Sequence, residues 1–281
     1  MSATTTITRS GVRICYETIG NPNDPPLLLI QGLGAQMVGW HPKFRAQLAD
    51  NGFFVIRHDN RDIGLSQKFP AGGYTLTDMA TDSVDMLNAL GLPSAHIAGQ
   101  SMGGMIAQEI AISFPQRVRS LTSIMSTTGN PKVPPPTKEA AAMLMAPPPA
   151  TKEEYFARFA QTWKILRVGS FPDDEALDPS RAARIYARGL NPAGVGRQLR
   201  AILASGSRKA RLHSVTVPTL VIHGTVDPLV RPEGGIDTAA SIPGAKLLMI
   251  EGMGHALPIP MWPQIIDAID KHAHGAAAKA A

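Results

Sequence analysis

Short apolar runs that alternate with amphipathic helical patterns most restrict the fold of this chain. Parallel strands need long crossover connections, usually helices, so this rhythm favours an α/β fold with a mostly parallel central sheet flanked by helices. The central runs are apolar throughout, as is typical of strands covered on both faces. The predicted strands are 12–19, 27–31, 53–58, 95–98, 121–126, 219–223 and 247–250.

Helices are predicted over 75–90, 102–114 and 262–271. In the first, apolar residues recur at helical spacing, and Thr75 and Asp78 have the spacing of a capping box. Pro115 ends the second, because proline cannot continue a helix. The tail 274–281 has no apolar face, so we expect it to be frayed.

The alternation breaks between residues 129 and 213. Proline-rich stretches bracket a short Ala/Met run there, and three helical patterns without a strand-like run follow, over 152–168, 179–190 and 195–205. We therefore predict a helical cap, or lid, at 129–211. It is inserted into an α/β core formed by 1–128 and 212–281.

The formal charge of +5 comes largely from the cap. Residues 151–211 contain 12 Lys/Arg and 6 Asp/Glu, and no nucleic-acid motif accompanies them. We interpret the excess as a solvated basic face that weakly steers anionic substrates, with no nucleic-acid partner.

Nothing in the sequence indicates a membrane or an export route. No apolar run approaches the roughly 18–20 residues that cross a bilayer, and the N-terminus has no signal-peptide pattern. Cys15, the one cysteine, lies in a predicted strand and is expected to be buried. We expect a cytoplasmic protein, and the sequence leaves its oligomeric state open between a monomer and a homodimer.

Ser101 lies in the pattern Gly99-Gln100-Ser101-Met102-Gly103, between a predicted strand and a predicted helix. A nucleophilic serine needs such a sharp strand-to-helix turn, which projects its hydroxyl above the sheet. The small residues at Gly99 and Gly103 allow strand and helix to approach closely. We predict Ser101 as the nucleophile; the structural alternative is a buried turn serine.

A serine nucleophile needs a base and a group that orients the base. Among the eight histidines, only His255 lies in a loop after the last predicted strand. His223 is the competing base, although a turn histidine bonded to the backbone is its alternative role. Asp227 follows the strand 219–223, at an end where catalytic groups collect in such sheets. Ser101, Asp227 and His255 also follow the chain order known from one hydrolase fold.

The motifs together identify the resemblance. The segments LLLIQGLG at 27–34, DNRDIGLS at 59–66, HGTVDPLV at 223–230 and GMGH at 252–255 surround the Ser101 motif. In this order they resemble the α/β-hydrolase superfamily over nearly the whole chain outside the cap. Within it, the chain is most similar to small bacterial carboxylesterases related to aclacinomycin-type methylesterases.

The resemblance implies an oxyanion hole from the backbone N–H groups of Leu33 and Met102. Many relatives have His-Gly where this chain has Gln31-Gly32, which leaves the role of Leu33 intact but removes any role of a histidine at that position.

Other residues have two interpretations. The predicted acyl pocket could equally be packing within the cap. The turn at 59–66, with Asp59, Arg61 and Asp62 close together, could supply a second acid/base site, but it is interpreted as a structural, ion-paired turn at the sheet edge. His41 and His58 are interpreted as packing or turn residues. The pocket candidates are Gly32, Met125, Met143, Met145, Phe156, Phe159, Trp163 and Leu229.

The leading hypothesis is hydrolysis of a small-molecule carboxylic ester through an acyl-enzyme on Ser101, without a metal or organic cofactor. Hydrolases of this fold with an aspartate nucleophile are disfavoured by Ser101. A carbon–carbon bond hydrolase and a cofactor-free perhydrolase remain alternatives on the same triad. A small-molecule receptor with little turnover is the alternative from a different class.

Overall fold

The computed structural model describes residues 4–168, 171 and 176–280, and side chains as far as residue 276. Its described strands form one sheet in the order β1-β2-β4-β3-β5-β6-β7-β8. β2 pairs antiparallel with β1 and β4, and all other neighbours are parallel. The strands are β1 (Thr4–Ile7), β2 (Arg13–Ile19), β3 (Pro26–Ile30), β4 (Phe54–His58), β5 (Ala95–Gln100), β6 (Val118–Ile124), β7 (Thr219–Gly224) and β8 (Lys246–Ile250).

Ten α-helices are described, and five of them lie between β6 and β7. The first three are α1 (Pro42–Asp50), α2 (Leu76–Ala89) and α3 (Met102–Ser113). Those between β6 and β7 are α4 (Lys138–Met145), α5 (Lys152–Arg167), α6 (Asp178–Ala187), α7 (Pro192–Ser205) and α8 (Lys209–Leu212). The last two are α9 (Pro232–Ser241) and α10 (Trp262–Ala280).

The sheet is buried on both faces by helices. Alternate residues of β3 point to opposite sides: Leu28 and Ile30 pack in a cluster with α2 and α3, whereas Leu27 and Leu29 pack in a cluster with α1 and α10. All five residues of β3 are buried. The predicted α/β fold with a mostly parallel sheet is therefore confirmed. Its central strands are apolar throughout because helices cover both of their faces.

Sequence patterns missed β1, α1, α4, α8 and α9. β1 consists of the residues TTTI at the edge of the sheet and is largely exposed, so it has no apolar alternation. α9 contains Gly234 and Gly235, which lower helix propensity. The strand predicted at 121–126 runs instead over Val118–Ile124, and it stops before Met125, whose φ is +42°.

The expectation of a frayed C-terminal tail is wrong. α10 continues to Ala280, past the predicted end at 271. Its second half is held to the sheet by the ring of His272, whose Nε2 lies 3.1 Å from the Leu121 carbonyl oxygen. Ala273 and Ala276 are buried beside it. Small side chains allow this close approach, and a pattern search for large apolar residues does not detect it.

Two short segments, residues 127–129 and 206–208, connect the cap to the core and are called here the neck. The backbone N–H of Arg208 donates to the Thr128 carbonyl (2.7 Å), and its buried guanidinium donates to the Thr127 carbonyl (2.8 Å). Gly129 has a φ of +78°, and a Cβ there would lie 2.5 Å from the Gly206 carbonyl oxygen. The two neck segments thus lie side by side where the chain enters and leaves the cap.

Candidate active site

Ser101 occupies the sharp turn between β5 and α3. Its φ of 55° and ψ of −123° are unusual for a residue with a side chain, and such backbone strain costs about 1–3 kcal/mol. Its N–H donates to the Ile124 carbonyl at 2.9 Å, which holds the turn over the neighbouring strand. A Cβ at Gly99 would collide with the Gly103 backbone, so the turn requires the small residues that the sequence provides.

Asp227 lies just beyond β7 and is fully buried. Its Oδ1 accepts from the N–H groups of Leu229 and Val230, at 2.9 Å each. Its Oδ2 lies 2.7 Å from His255 Nδ1. The N–H groups of its own turn therefore hold Oδ1, and Oδ2 orients the His255 ring.

His255 lies in the loop between β8 and α10 and is 7% exposed. Together with Ser101 it lines one cavity. Within the described residues no hydrogen bond joins the Ser101 hydroxyl to the His255 ring. Such bonds often tighten only when substrate is bound.

The cap contacts the His255 loop directly. The backbone N–H of His255 donates to the carbonyl of Leu166, in the last turn of α5, at 2.7 Å. A Cβ at Gly254 would collide with that carbonyl oxygen, so glycine is needed for this approach. Sequence reasoning missed this contact because a backbone carbonyl has no residue signature.

His223, the competing base, lies away from the cavity. It is fully buried, its Nε2 lies 2.8 Å from the Val230 carbonyl oxygen, and it does not line the cavity. Burial lowers its pKa, which favours the neutral ring. Its surroundings match those of a turn histidine bonded to the backbone.

The backbone N–H groups of Leu33 and Met102 belong to two separate segments beside Ser101, a loop after β3 and the start of α3. Gly32, next to Leu33, approaches the nucleophile so closely that a Cβ there would lie 3.1 Å from Ser101 Cβ. Met102 is the first residue of α3, where backbone N–H groups have no partner within the helix. Among the described residues, neither N–H has a protein acceptor. Both are thus available to a negatively charged oxygen.

Gln31 is buried beneath the loop that carries Leu33. Its Oε1 accepts from Gln100 Nε2 at 2.6 Å, and its backbone carbonyl accepts from Asn60 Nδ2 at 3.0 Å. Gln31 therefore connects the loop to the residue that precedes the nucleophile. Gln100 also lines the cavity, which its local sequence does not indicate.

A cavity of about 630 Å³ lies between the sheet and the cap. Its wall contains seven of the eight pocket candidates: Gly32, Met125, Met143, Met145, Phe159, Trp163 and Leu229. Phe156 is not part of this wall, because its ring packs against Tyr155 and Tyr186 instead. The wall is mostly apolar and includes Trp40 and Trp262, which sequence reasoning missed.

The basic excess of the cap is in large part not a solvated face, contrary to our expectation. Arg188 pairs with the fully buried Asp59, and Arg197 forms a two-pronged pair with the fully buried Asp62, at 2.7 and 2.9 Å. Arg208 is also buried. Arg188 and Arg197 neutralise carboxylates of the core, whereas Arg208 binds neutral acceptors. The charge asymmetry thus reflects, in part, an interface between cap and core.

The turn at 59–66 is structural and ion-paired, as interpreted, and its partners extend into the cap. It follows β4, an interior strand, so it lies at the carboxyl end of the sheet and not beside an outer strand. Burial acts to raise the pKa of Asp62, but Arg197, the Phe69 N–H and the Tyr74 hydroxyl hold it below its usual range. Arg61 pairs with the buried Asp82 at 2.6 Å.

His41 and His58 have the packing or turn roles that were expected, and His41 is in addition part of the cavity wall. His41 caps α1 by accepting from the Lys43 N–H at 3.2 Å, and it also lines the cavity. His58 is buried, with its Nε2 3.3 Å from the Ser83 hydroxyl.

No group of three or more His, Cys, Asp or Glu side chains in the described ranges is arranged to hold a metal ion. In the same part of the chain, no helix is both long enough and apolar enough to cross a membrane.

Comparison with known proteins agrees with this architecture. Residues 25–260 match the family model described as the α/β hydrolase fold, so the chain belongs to the α/β-hydrolase family. A rhodomycin D methylesterase from Streptomyces sp. (strain C5) is 32% identical over 96% of this chain and 98% of its own length. A rhodomycin D methylesterase from Streptomyces peucetius is likewise 32% identical, over 96% and 98% of the two chains.

Solved structures share the fold. A meta-cleavage product hydrolase from Pseudomonas fluorescens superposes with a TM-score of 0.80 and 21% identity, covering 97% of this chain and 98% of that chain. At this identity the likeness shows the fold alone.

Proposed function

We propose that this α/β-hydrolase is a serine carboxylesterase. The observation that carries the proposal is the hydrogen bond between Asp227 and His255 at 2.7 Å, on a histidine that shares one cavity wall with the strained Ser101. The methylesterase names of full-length relatives support the reaction class.

In the proposed reaction, His255 takes the proton of the Ser101 hydroxyl as its oxygen attacks the ester carbonyl carbon. The negative charge on the former carbonyl oxygen is stabilised by the N–H groups of Leu33 and Met102. When the tetrahedral intermediate collapses, the carbon–oxygen bond to the alcohol breaks and His255 returns the proton to the leaving alcohol. Water, activated by His255, then releases the acid and restores Ser101.

The cavity supports an ester with a bulky, largely apolar acid portion. Its volume of about 630 Å³ lies within the range of roughly 300–1,000 Å³ that is typical of small-molecule sites. No Asp or Glu is among the described residues that line it. An apolar acid portion can therefore bind without burying a carboxylate of the protein. We propose that the acid portion fills this cavity and that a small alcohol leaves. We also propose a cytoplasmic enzyme that needs no cofactor, nucleic acid or membrane partner.

The experiment that tests the proposal measures p-nitrophenol release from acetate, butyrate and octanoate esters. The native protein is compared with Ser101→Ala and with Ser113→Ala, a matched control at the exposed far end of α3. We expect Ser101→Ala to lose at least about 10³-fold in kcat and Ser113→Ala to keep native activity. Equal activity of Ser101→Ala and the native protein would exclude Ser101 as the nucleophile. A native protein inert on all three esters would contradict the carboxylesterase proposal.

A further inference from the structure

Gln198, on the cap helix α7, contacts the loop that carries one of the two candidate oxyanion donors. Residues 32–34 are called here the oxyanion loop. The Gly34 N–H donates to Gln198 Oε1 at 2.9 Å, and Gln198 Nε2 donates to the Arg61 carbonyl at 3.0 Å. The side chain is fully buried. Both ends of its amide are therefore satisfied, one by the oxyanion loop and one by the turn that follows β4.

The contact fixes one of two consecutive peptide planes around Leu33. The carbonyl of Gly32 and the N–H of Leu33 belong to one planar peptide, and this carbonyl accepts from the Ala35 N–H at 3.2 Å. The next plane contains the Gly34 N–H, which Gln198 holds. The inner plane is thus held within the loop, and the outer plane is held by the cap.

α7 also limits the loop sterically. Gly34 has a φ of +68°, and a Cβ there would lie 3.1 Å from a methyl carbon of Val195, three residues before Gln198. The loop therefore has little room to shift toward α7. The amide of Gln198 opposes movement away from it.

We propose that Gln198 is a positioning residue that holds the oxyanion loop in the geometry needed for the Leu33 N–H to meet the developing oxyanion. The proposal rests on the proposed ester hydrolysis, because it assigns a role in that reaction. A donor gives its full benefit only when it is aimed in advance at the position that the negative oxygen will occupy. A cap side chain would thereby contribute to the chemical step, and not to substrate binding alone.

The test uses three substitutions at this position. Gln198→Met removes both hydrogen bonds at similar size, and Gln198→Asn keeps the amide but withdraws it by one methylene. Gln198→Glu keeps an acceptor for the Gly34 N–H. The measured quantities are kcat and KM on the p-nitrophenyl ester that the native protein hydrolyses best, and the inhibition constant of an aryl trifluoromethyl ketone. This ketone forms a tetrahedral adduct with a serine nucleophile and so reports on oxyanion stabilisation.

We expect Gln198→Met and Gln198→Asn to lower kcat by about tenfold or more. This loss should be smaller than the roughly 10²–10³-fold loss that is typical when an oxyanion donor is removed outright. KM should stay within about threefold, and ketone inhibition should weaken by about the factor lost in kcat, since both report transition-state binding. Gln198→Glu should retain more of kcat than either. Circular dichroism at the assay temperature establishes that each variant is folded. If Gln198→Met is not folded, the kinetics of Gln198→Asn test the proposal.

Arg197→Gln is the matched control, because it removes the ion pair of the adjacent α7 residue with Asp62 but no contact with the oxyanion loop. We expect it to lower the melting temperature while kcat stays within about threefold, as for a structural ion pair. Native kcat in both Gln198→Met and Gln198→Asn would overturn the proposal. An equal loss of kcat in Arg197→Gln would also do so, because cap docking in general would then explain the effect. If hydrolysis does not depend on Ser101, the proposed function itself fails; if it does and Gln198 variants act natively, only this inference fails.

Discussion

At the scale of single residues, the candidate site depends on the different hydrogen-bond partners of the two carboxylate oxygens of Asp227. Oδ1 is occupied by the N–H groups of Leu229 and Val230, and Oδ2 faces His255 Nδ1. Because Oδ2 can only accept while the carboxylate is ionised, it selects the tautomer of His255 that carries its proton on Nδ1. That tautomer leaves Nε2 free to take a proton from Ser101.

Asp227→Asn should therefore remove activity without removing the fold. The new amide oxygen would keep the bonds to the two backbone N–H groups and turn its NH₂ toward His255, which favours the wrong tautomer. We expect kcat to fall by roughly 10⁴, as for the equivalent change in serine proteases, with KM little altered. Steady-state kinetics on the p-nitrophenyl esters measures both parameters.

Asp237→Asn is the control for this substitution, since Asp237 accepts from Thr128 and Asn130 near the neck and lies outside the site. It should keep kcat within about threefold while losing some stability through weaker charge-assisted bonds. A kcat of Asp227→Asn within about tenfold of native would contradict the orienting role assigned to this carboxylate.

At the scale of elements, the neck explains how four helices, α4 to α7, can be inserted between β6 and β7 without disturbing the sheet. Its two segments run together, and Arg208 binds both the Thr127 carbonyl and Gln108 Oε1 of α3. The cap is consequently anchored at its base, while Arg188, Arg197 and Gln198 anchor it near the site.

Gly129→Ala tests whether the close approach within the neck stabilises the protein. Alanine would be strained at the φ of +78° and would collide with the Gly206 carbonyl oxygen. Gly91→Ala is matched in backbone strain, with a φ of +70°, but nothing lies within 4 Å of the added Cβ.

We expect Gly91→Ala to lower the free energy of unfolding by about 1 kcal/mol, which is the cost of the left-handed conformation alone. Gly129→Ala should cost at least about 1–3 kcal/mol more through overpacking. Urea unfolding followed by circular dichroism gives both values. Equal losses in the two variants would mean that the neck relaxes freely around a side chain.

At the scale of the whole molecule, stability below neutral pH depends on buried histidines. Burial lowers the pKa of His58 to about 4, and burial together with Arg119 lowers the pKa of His96 to about 4. The folded protein then binds fewer protons at these sites than the unfolded chain, whose histidines titrate at about 6.5. Their contribution to stability is complete above the unfolded pKa and is lost as the pH falls from about 6.5 toward 4.

As the pH falls from about 6.5 to 4, each of these two histidines should lower the free energy of unfolding by up to about 3 kcal/mol. His96→Gln keeps a polar partner for the Ser120 hydroxyl, which lies 2.8 Å from His96 Nδ1, but cannot titrate. We expect its free energy of unfolding to fall less steeply than that of the native protein between pH 6.5 and 4.5. His213→Gln, at an exposed position, should follow the native curve. Parallel curves for His96→Gln and the native protein would contradict the prediction.

The α/β class, most strand positions and the placement of Ser101, Asp227 and His255 could be predicted from the sequence. Each depends on a local pattern: an apolar run, a glycine-flanked turn, or a polar residue directly after a strand. The order of such patterns along the chain then restricts which loops can meet at the carboxyl end of the sheet. β1, α1, α4, α8 and α9 escaped this reasoning, because short or weakly periodic segments give no clear pattern.

Tertiary structure decided the partners of buried polar groups. Gly34 and Gln198 are 164 residues apart, and nothing in either local segment indicates the other. The same holds for the arginines of the cap, which the sequence shows as an excess of charge and the fold pairs with Asp59 and Asp62. A buried charge or amide is tolerable only with a partner in reach, and that partner is selected by the packing of whole elements, which local periodicity does not encode.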